Sequence, residues 1–301
     1  MPDATGPIRR LESREMSVEI WPHRGARIAS LFDIARNKEW MDRPPASRGL
    51  QTNQVGDDFG KSPLVGADEC FPTVGAAEID GKTIPDHGEV WPRTWQEIET
   101  GTPDSCTLRC ELDSLPLTIE RTATVSNATL RLDYRVTNRA DAPTPHLWCW
   151  HPLFVMPKKP DLVLEGIGSR FRVESSIGLT PEQESLLIEH GQNSTLNRLD
   201  LGTSQPSAAK LFCSTNSHGR AILQDRSQNA ALTVAWQGKA ISGLGLWINR
   251  GGWAGYSHVA IEPTTTPVES IADVPDDRWL AARAVEEWAL EISVSRPHTA
   301  I

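Results

Sequence analysis

The chain has 301 residues, of which 39% are hydrophobic and 23% charged, and these values are ordinary for a folded globular protein rather than a disordered one. The formal net charge is -9 and no block of Lys or Arg stands out, which argues against a nucleic-acid partner. The opening MPDATGPIRR precedes no apolar segment and no uncharged run could span a bilayer, so we expect a cytoplasmic protein that makes no membrane contact.

The first predicted element is a β-hairpin between Val18 and Met41. Two short extended runs, VEIWP and ARIASLFDI, are separated by Arg24-Gly25. Residues 42–66 follow, rich in Pro, Gly, Asp and Ser and with little periodicity, so they predict a long loop. Long loops inside compact domains are often functional.

Two further hairpins are predicted by their turns and by their alternation. Residues 78–84 place Asp80-Gly81 between two short extended runs, a pattern typical of a tight turn of type I′. In residues 117–136, apolar residues alternate with polar ones on both sides of Ser126-Asn127. This second pattern predicts an antiparallel hairpin with one buried face.

The end of the chain predicts one helix and one strand. Residues 277–287 are rich in helix formers and follow Pro275-Asp276, so they predict a short helix near the C-terminus. Trp288, Leu290, Ile292 and Val294 then share one face of a final strand. We therefore predict an all-β protein, folded as one large antiparallel sandwich domain over residues 1–301, with residues 1–14 as a loose N-terminal segment.

Three short segments combine an ionisable side chain with residues that stiffen the backbone. They are Asp86-His87-Gly88, Trp150-His151-Pro152-Leu153-Phe154 and Ile261-Glu262-Pro263. Each places its His or Glu at a predicted strand edge, where rigid scaffolds present catalytic groups. The alternative is structural: each His satisfies a backbone carbonyl, and Glu262 pairs with an Arg. Against it, Glu262 follows an apolar run, and a buried carboxylate is costly unless it is used or paired.

The cysteines give no sign of a metal site or a disulfide framework. There are five, an odd number, and the pair at 106 and 110 has no second Cys pair and no His pair at zinc-binding spacing. We expect reduced structural thiols, no metal and no organic cofactor.

At these segments the sequence resembles the aldose 1-epimerases (galactose mutarotases) and their hexose-6-phosphate epimerase relatives. Residues 25–31 with Glu39-Trp40-Met41 are similar to the first hairpin of that family, and IPDHGEVWPRTW (84–95) to its His-Gly motif. His151-Pro152-Leu153-Phe154 resembles the second histidine segment. IEPTTTPVES (261–270) resembles the segment that carries the catalytic glutamate, and the resemblance runs along most of the chain.

The resemblance implies a β-supersandwich with Glu262 as general base, His151 as general acid and His87 as a group that holds and polarises the sugar. To open a pyranose ring, a base takes the proton of the anomeric hydroxyl while an acid protonates the ring oxygen. A carboxylate and a protonated imidazole suit these roles because both titrate near neutral pH when tuned.

The sequence departs from that family before the His-Gly motif. Residues 66–73 lack the arginine-containing stretch of galactose mutarotases, so Arg93 becomes the candidate for that task. The aspartate that grips sugar hydroxyls in the family has three candidates here: Asp68, Glu69 and Asp225. Of these we predict Asp68 as the substrate-binding residue.

The stretch 244–260 leads directly into Glu262, so alternate residues of it are expected to line the same cleft. Trp247 is the predicted stacking platform for a sugar, and Asn249 is a predicted hydroxyl partner. Arg250, together with Arg93, keeps a sugar phosphate open as substrate, since guanidinium groups suit phosphate oxygens.

The sequence thus predicts an isomerase that interconverts the α and β anomers of a sugar, with a neutral aldose favoured over a hexose 6-phosphate. One alternative is a carbohydrate-binding sandwich without catalysis, because one fold can host binding alone. Another is a lyase or hydrolase, which ranks lower because glycosidases usually need two carboxylates and Glu262 is the one well-placed candidate. The oligomeric state stays open.

Overall fold

The structure is a computed structural model that describes residues 6–42, 53–62, 65–99, 102–188 and 199–297. Within these ranges the chain forms an all-β fold with a single α-helix, α1 (Pro181–Ile188). The strands are β1 (Arg9–Glu12), β2 (Met16–Trp21), β3 (Arg27–Asp33), β4 (Lys38–Glu39), β5 (Gly66–Cys70), β6 (Ala77–Ile79), β7 (Lys82–Ile84), β8 (Gln96–Glu99), β9 (Ser105–Glu111), β10 (Leu117–Ser126), β11 (Thr129–Asn138), β12 (Cys149–Val155), β13 (Pro160–Ile167), β14 (Arg172–Ile177), β15 (Ser207–Asp225), β16 (Ala230–Gln237), β17 (Gly243–Arg250), β18 (Ser257–Thr264) and β19 (Val285–Ser295). Short 3-10 turns span Phe59–Lys61, Ile271–Asp273 and Asp276–Arg278.

All paired strands are antiparallel. Apart from the small hairpin β6–β7, they form two sheets that make up two layers. The first sheet has the order β1–β2–β3–β5–β12–β18–β17–β15–β14, and β4 adds to β3. The second sheet has the order β8–β9–β10–β11–β19–β16–β15–β13. The long strand β15 belongs to both, since its first half pairs with β14 and β17 and its second half with β13 and β16.

Polar side chains as well as apolar ones join the two sheets. Glu69 on β5 is fully buried and accepts hydrogen bonds from Arg121 (2.6 Å) and Tyr134 (2.8 Å) of the second sheet. Trp148 donates its indole N–H to the other oxygen of Glu69 at 2.8 Å. A buried carboxylate with three donors is satisfied, so Glu69 fixes the position of β5 against the second sheet.

The predicted hairpins are confirmed. β2 and β3 pair around Arg24-Gly25, and Gly25 cannot carry a side chain because its Cβ would lie 2.2 Å from the carbonyl oxygen of Trp91. β6 and β7 turn at Asp80 and Gly81 with φ of 50° and 73°, as a type I′ turn requires. β10 and β11 pair along their full length from Leu117–Asn138 to Ser126–Thr129.

The helix predicted over 277–287 is wrong. The chain there makes one 3-10 turn, reverses at Arg283 with φ of 58°, and enters β19 at Val285. β19 pairs with both β11 and β16, and this ladder buries Trp288 and Leu290, which outweighs the local helix propensity.

The helix α1 begins with a capping box. Thr180 and Gln183 exchange hydrogen bonds between side chain and backbone N–H at 2.9 and 3.4 Å. Part of the segment predicted to be loose at the N-terminus is also ordered, since β1 pairs with β2 from Arg9–Ile20 to Glu12–Ser17. No helix among the described residues is both long enough and apolar enough to cross a membrane.

Candidate functional site

A cleft of about 290 Å³ lies on the outer face of the first sheet. Its walls contain His87, His151, Leu153, Lys210, Trp247 and Glu269, together with residues 58–60 of the predicted long loop. The part of that loop over 43–52 and 63–64 lies outside the described residues. His87 and His151 line the cleft, and Glu262 lies beneath it in contact with Lys210. The cleft therefore brings together the three segments that were predicted to carry catalytic groups.

Strand register explains why His151 and Glu262 meet. β12 and β18 pair at Cys149–Thr264 and at Phe154–Val259, and the same register in between places His151 opposite Glu262. The ladder is interrupted there because Pro152 and Pro263 have no N–H to donate. The prolines thus open the sheet at the point where the two ionisable side chains face each other.

The next row of the same face supplies the cleft wall. Lys210 on β15 pairs with Trp247 on β17, which pairs with Ala260 on β18. On its other side Lys210 pairs with Ser175 of β14. Since residues two apart on a strand share a face, this row stands beside the row of His151 and Glu262.

Glu262 has no exposed surface, and its two oxygens differ sharply. Oε2 accepts hydrogen bonds from Lys210 Nζ and, at 3.5 Å, from Cys149 Sγ. Oε1 has no hydrogen-bond partner and lies 3.8 Å from His151 Nε2. Gly245 makes room for this arrangement, because a Cβ there would lie 2.9 Å from Oε2. Oε2 is therefore held by two donors, and Oε1 is the oxygen that can accept a proton.

His151 is held neutral in this setting. Burial lowers the pKa of His151 well below its ordinary value, and the charges of His87, Lys210 and His258 lower it further. Its Nδ1 atom is buried and has no hydrogen-bond partner among the described residues. The role of general acid stays a prediction, and it requires the imidazole to take up a proton before it can give one.

His87 sits on a turn of unusual backbone conformation. Its φ is 60°, and Gly88 follows with φ of 73°, where a Cβ would lie 2.1 Å from the carbonyl oxygen of Phe71. The ring stacks on Phe59 with centroids 3.7 Å apart, and Nδ1 contacts Asp86 at 2.9 Å. His87 and His151 meet edge to face at 5.3 Å. The turn thus delivers the second imidazole to the cleft.

Trp247 lies in the wall of the cleft with its ring partly exposed. Its indole N–H donates to Nε2 of the buried His258 at 3.1 Å, and Nδ1 of His258 lies 3.4 Å from Asp42. This chain fixes the plane of the indole, as a stacking platform requires.

Replacing Trp247 by Ala is expected to raise the KM for sugar by about three- to tenfold, the range that 0.5–1.5 kcal/mol of ring contact gives. Trp247→Phe is the matched control, since it keeps an aromatic face and removes the bond to His258. Sugar titration and thermal melting of both variants separate binding from stability. A large loss of stability in Trp247→Ala with unchanged KM would assign this residue to the core.

Three other predicted substrate-binding residues are not brought to the cleft wall. Asp68 is buried and bound by Arg27 through two hydrogen bonds of 2.8 and 2.9 Å. Arg93 pairs with Glu89 at 2.8 Å and also with Asp113. Asn249 is buried and exchanges two hydrogen bonds of 3.1 Å with the backbone of Trp253. In this structure all three hold neighbouring segments of the chain.

The remaining candidates have structural partners as well. Asp225 is bound by Lys38 at 2.8 Å, and Glu69 lies between the sheets. Arg250 donates to the carbonyl oxygen of Leu199 at 2.8 Å. In the family that the sequence resembles, an aspartate binds sugar hydroxyls. None of the three candidates for that role, Asp68, Glu69 and Asp225, lines the cleft.

Sequence reasoning missed two charged residues of the cleft, Lys210 and Glu269. Lys210 interrupts the otherwise apolar run Ala208–Cys213, and a lone cation in a buried strand signals a charged partner. Glu269 stands seven residues after Glu262 in the same motif segment, but no periodicity marks it because the chain has left β18.

A scan of the sequence against protein-family models gives no match, and a search of the curated proteins gives none either. Solved structures do match along nearly the whole chain. The Slr1438 protein from Synechocystis is 19% identical with a TM-score of 0.73, and 98% of each chain is covered. A galactose mutarotase-like protein from Clostridium acetobutylicum is 14% identical with a TM-score of 0.70, over 96% of this chain and 95% of that one.

A GalM/aldose epimerase homologue from C. elegans is 13% identical with a TM-score of 0.65, over 98% of this chain and all of the other. Identities this low carry information on architecture alone. The all-β architecture, the two sheets joined by β15 and the shared coverage agree with the resemblance found in the sequence. The chain has the galactose mutarotase-like fold.

Proposed function

We propose that this protein interconverts the anomers of an aldose by acid–base catalysis. The observation that carries the proposal is the unpartnered Oε1 of Glu262, which lies beneath a sugar-sized cleft and faces His151 at 3.8 Å. A buried oxygen without a hydrogen-bond donor destabilises the folded protein. Such an oxygen is explained when a bound ligand donates a hydrogen bond to it, as the anomeric hydroxyl of a sugar would.

In this scheme Glu262 takes the proton of the anomeric hydroxyl as the C1–ring oxygen bond breaks, and an acidic group of the cleft gives a proton to the ring oxygen. Lys210 holds Oε2 and thereby leaves Oε1 as the base. Hydrogen bonds at catalytic groups are often long in the free enzyme and tighten in the complex, which suits the 3.8 Å separation from His151. Rotation about C1–C2 in the open chain and reversal of the proton transfers then give the other anomer.

The arrangement of charges favours a catalyst over a binding module without turnover. A binding cleft needs hydroxyl partners and aromatic faces such as Trp247, but it has no need for a wholly buried carboxylate with one unused oxygen.

The charges of the cleft also favour an unphosphorylated sugar. Among the described residues that line the cleft, Asp58, Asp86 and Glu269 are acidic, and Lys210 is the one Lys or Arg. The ammonium of Lys210 is already bonded to Glu262, and Arg93 and Arg250 lie elsewhere. A phosphate dianion here would face like charges at a cost of several kcal/mol.

The test is anomer interconversion, followed by NMR or optical rotation from freshly dissolved α-anomers. We expect acceleration for one or more neutral aldoses, and a rate for the matching 6-phosphates that is lower by at least about tenfold. Faster turnover of the phosphates would overturn the substrate preference. A protein that binds an aldose without accelerating any sugar would support the binding-module alternative instead.

A further inference from the structure

Glu269 lies in the wall of the same cleft, on the segment that follows β18. Its backbone carbonyl accepts hydrogen bonds from the N–H groups of Val74 (3.1 Å) and Gly75 (2.6 Å). Val74 in turn accepts from the N–H of His87 at 2.6 Å. The position of Glu269 is therefore fixed relative to His87 by backbone bonds.

The carboxylate of Glu269 is half-buried and makes no hydrogen bond or ion pair with any residue that the structure describes. Gly75 lies beside it, and a Cβ at Gly75 would be in ordinary van der Waals contact with Oε2 at 3.5 Å. A partly desolvated carboxylate without hydrogen-bond donors is unfavourable when ionised. Such groups occur at functional sites, where they exchange protons or hydrogen bonds with a bound ligand.

Two glutamates of the site, Glu262 and Glu269, interact with the one ammonium group of the cleft wall, that of Lys210. Lys210 Nζ bonds directly to Glu262, whereas Glu269 makes no direct bond to Lys210 and interacts with its charge from a distance. Burial raises the pKa of Glu269, and the negative charges of Glu262 and Glu174 raise it further, while Lys210 and His87 act in the opposite direction. Two carboxyl groups whose surroundings differ in this way are suited to opposite roles, one ionised and one protonated.

We propose that Glu269 is the general acid that protonates the ring oxygen, in place of His151. This assignment rests on the proposed function. In ring opening, Glu262 accepts the O1 proton, the C1–O1 bond becomes a carbonyl, the C1–O5 bond breaks, and O5 takes the proton of the Glu269 carboxyl group. In ring closure, Glu269 accepts the O5 proton as O5 attacks C1, and Glu262 returns its proton to O1.

The experiment compares Glu269→Gln, Glu269→Asp and His151→Asn in the full chain, by kcat and KM across pH with the best aldose of the anomer assay. Glu165→Gln is the matched control, because Glu165 is an exposed carboxylate paired with Arg220 at 2.8 Å and lies outside the cleft wall. Thermal melting of each variant confirms that the fold is retained.

A group that must be protonated gives a kcat that falls as the pH rises through its pKa. We expect Glu269→Gln to lower kcat by about 10²-fold or more and to remove this fall, while Glu269→Asp recovers part of the rate and His151→Asn keeps the fall. Glu165→Gln should resemble wild type.

Two results would overturn the assignment while leaving the proposed function standing. In the first, Glu269→Gln raises KM alone, which would make Glu269 a hydroxyl partner. In the second, His151→Asn removes the alkaline fall and Glu269→Gln keeps it, which would restore His151 as the acid. A wild-type protein inactive on every aldose would instead overturn the proposed function, and this assignment with it.

Discussion

Replacing Glu262 by Gln is expected to reduce anomer interconversion by about 10²–10⁴-fold, the contribution of one positioned proton transfer. The amide has nearly the shape of the carboxylate, and its oxygen can still accept from Lys210, so the fold should persist. What is lost is the basic Oε1, the buried oxygen that has no donor in the free protein. The rate is measured by NMR on a fresh α-anomer, alongside a thermal melt.

The matched control is Glu89→Gln. Glu89 is also buried and also paired with a cation, Arg93 at 2.8 Å, but it lies outside the cleft wall. Both variants remove one buried negative charge, so both should lose stability, and only Glu262→Gln should lose turnover per folded molecule. An unchanged rate in Glu262→Gln would remove Glu262 as the base.

The sheets could be predicted from the sequence because their signals are local. Alternation in residues 117–136 and in 288–294 shows which face is buried, and Asp80-Gly81 specifies its own turn. The failure over 277–287 has the opposite cause. Its residues favour a helix locally, but β11 and β16 both offer hydrogen-bonding edges to β19, and that pairing is visible only in three dimensions.

The site residues also divide into those with a local sequence signal and those whose role depends on distant parts of the chain. His87, His151 and Glu262 could be found because each stands beside Gly or Pro, and strand register then brings His151 and Glu262 together. Lys210 comes from a segment without such a motif, and Glu269, although it lies within residues 261–270, has neither Gly nor Pro as a direct neighbour. Their roles depend on partners distant in the chain, since Lys210 meets Glu262 across 52 residues and Glu269 is held by Val74 and Gly75.

Asp68 and Asn249 illustrate a further limit of sequence reasoning. Alternation correctly assigns a residue to a face of its strand, but it does not reveal which neighbour satisfies the side chain. Arg27 takes both oxygens of Asp68, and the backbone of Trp253 takes both ends of the Asn249 amide. A polar side chain that is fully satisfied inside the protein has little left for a sugar.

The second large effect is expected from Lys210→Met, which removes the cation beneath the cleft while keeping most of the side-chain volume. Glu262 would then be a buried carboxylate without a counter-charge, an arrangement that costs about 3–5 kcal/mol or is relieved by protonation. Protonation removes the ionised base, so we expect turnover to fall about as far as in Glu262→Gln. The pKa of His151 should rise, because the charge of Lys210 is one of the causes that lower it.

Three measurements separate this role from simple packing. Lys210→Arg keeps the charge and should retain the low pKa of His151 in an NMR titration, whereas Lys210→Met should not. The double variant Lys210→Met/Glu262→Gln removes both charges and should be more stable than Lys210→Met alone, since the uncompensated carboxylate is gone. If Lys210→Met instead kept wild-type turnover and the wild-type titration of His151, Lys210 would be a packing residue and Glu262 would need no partner to act as the base.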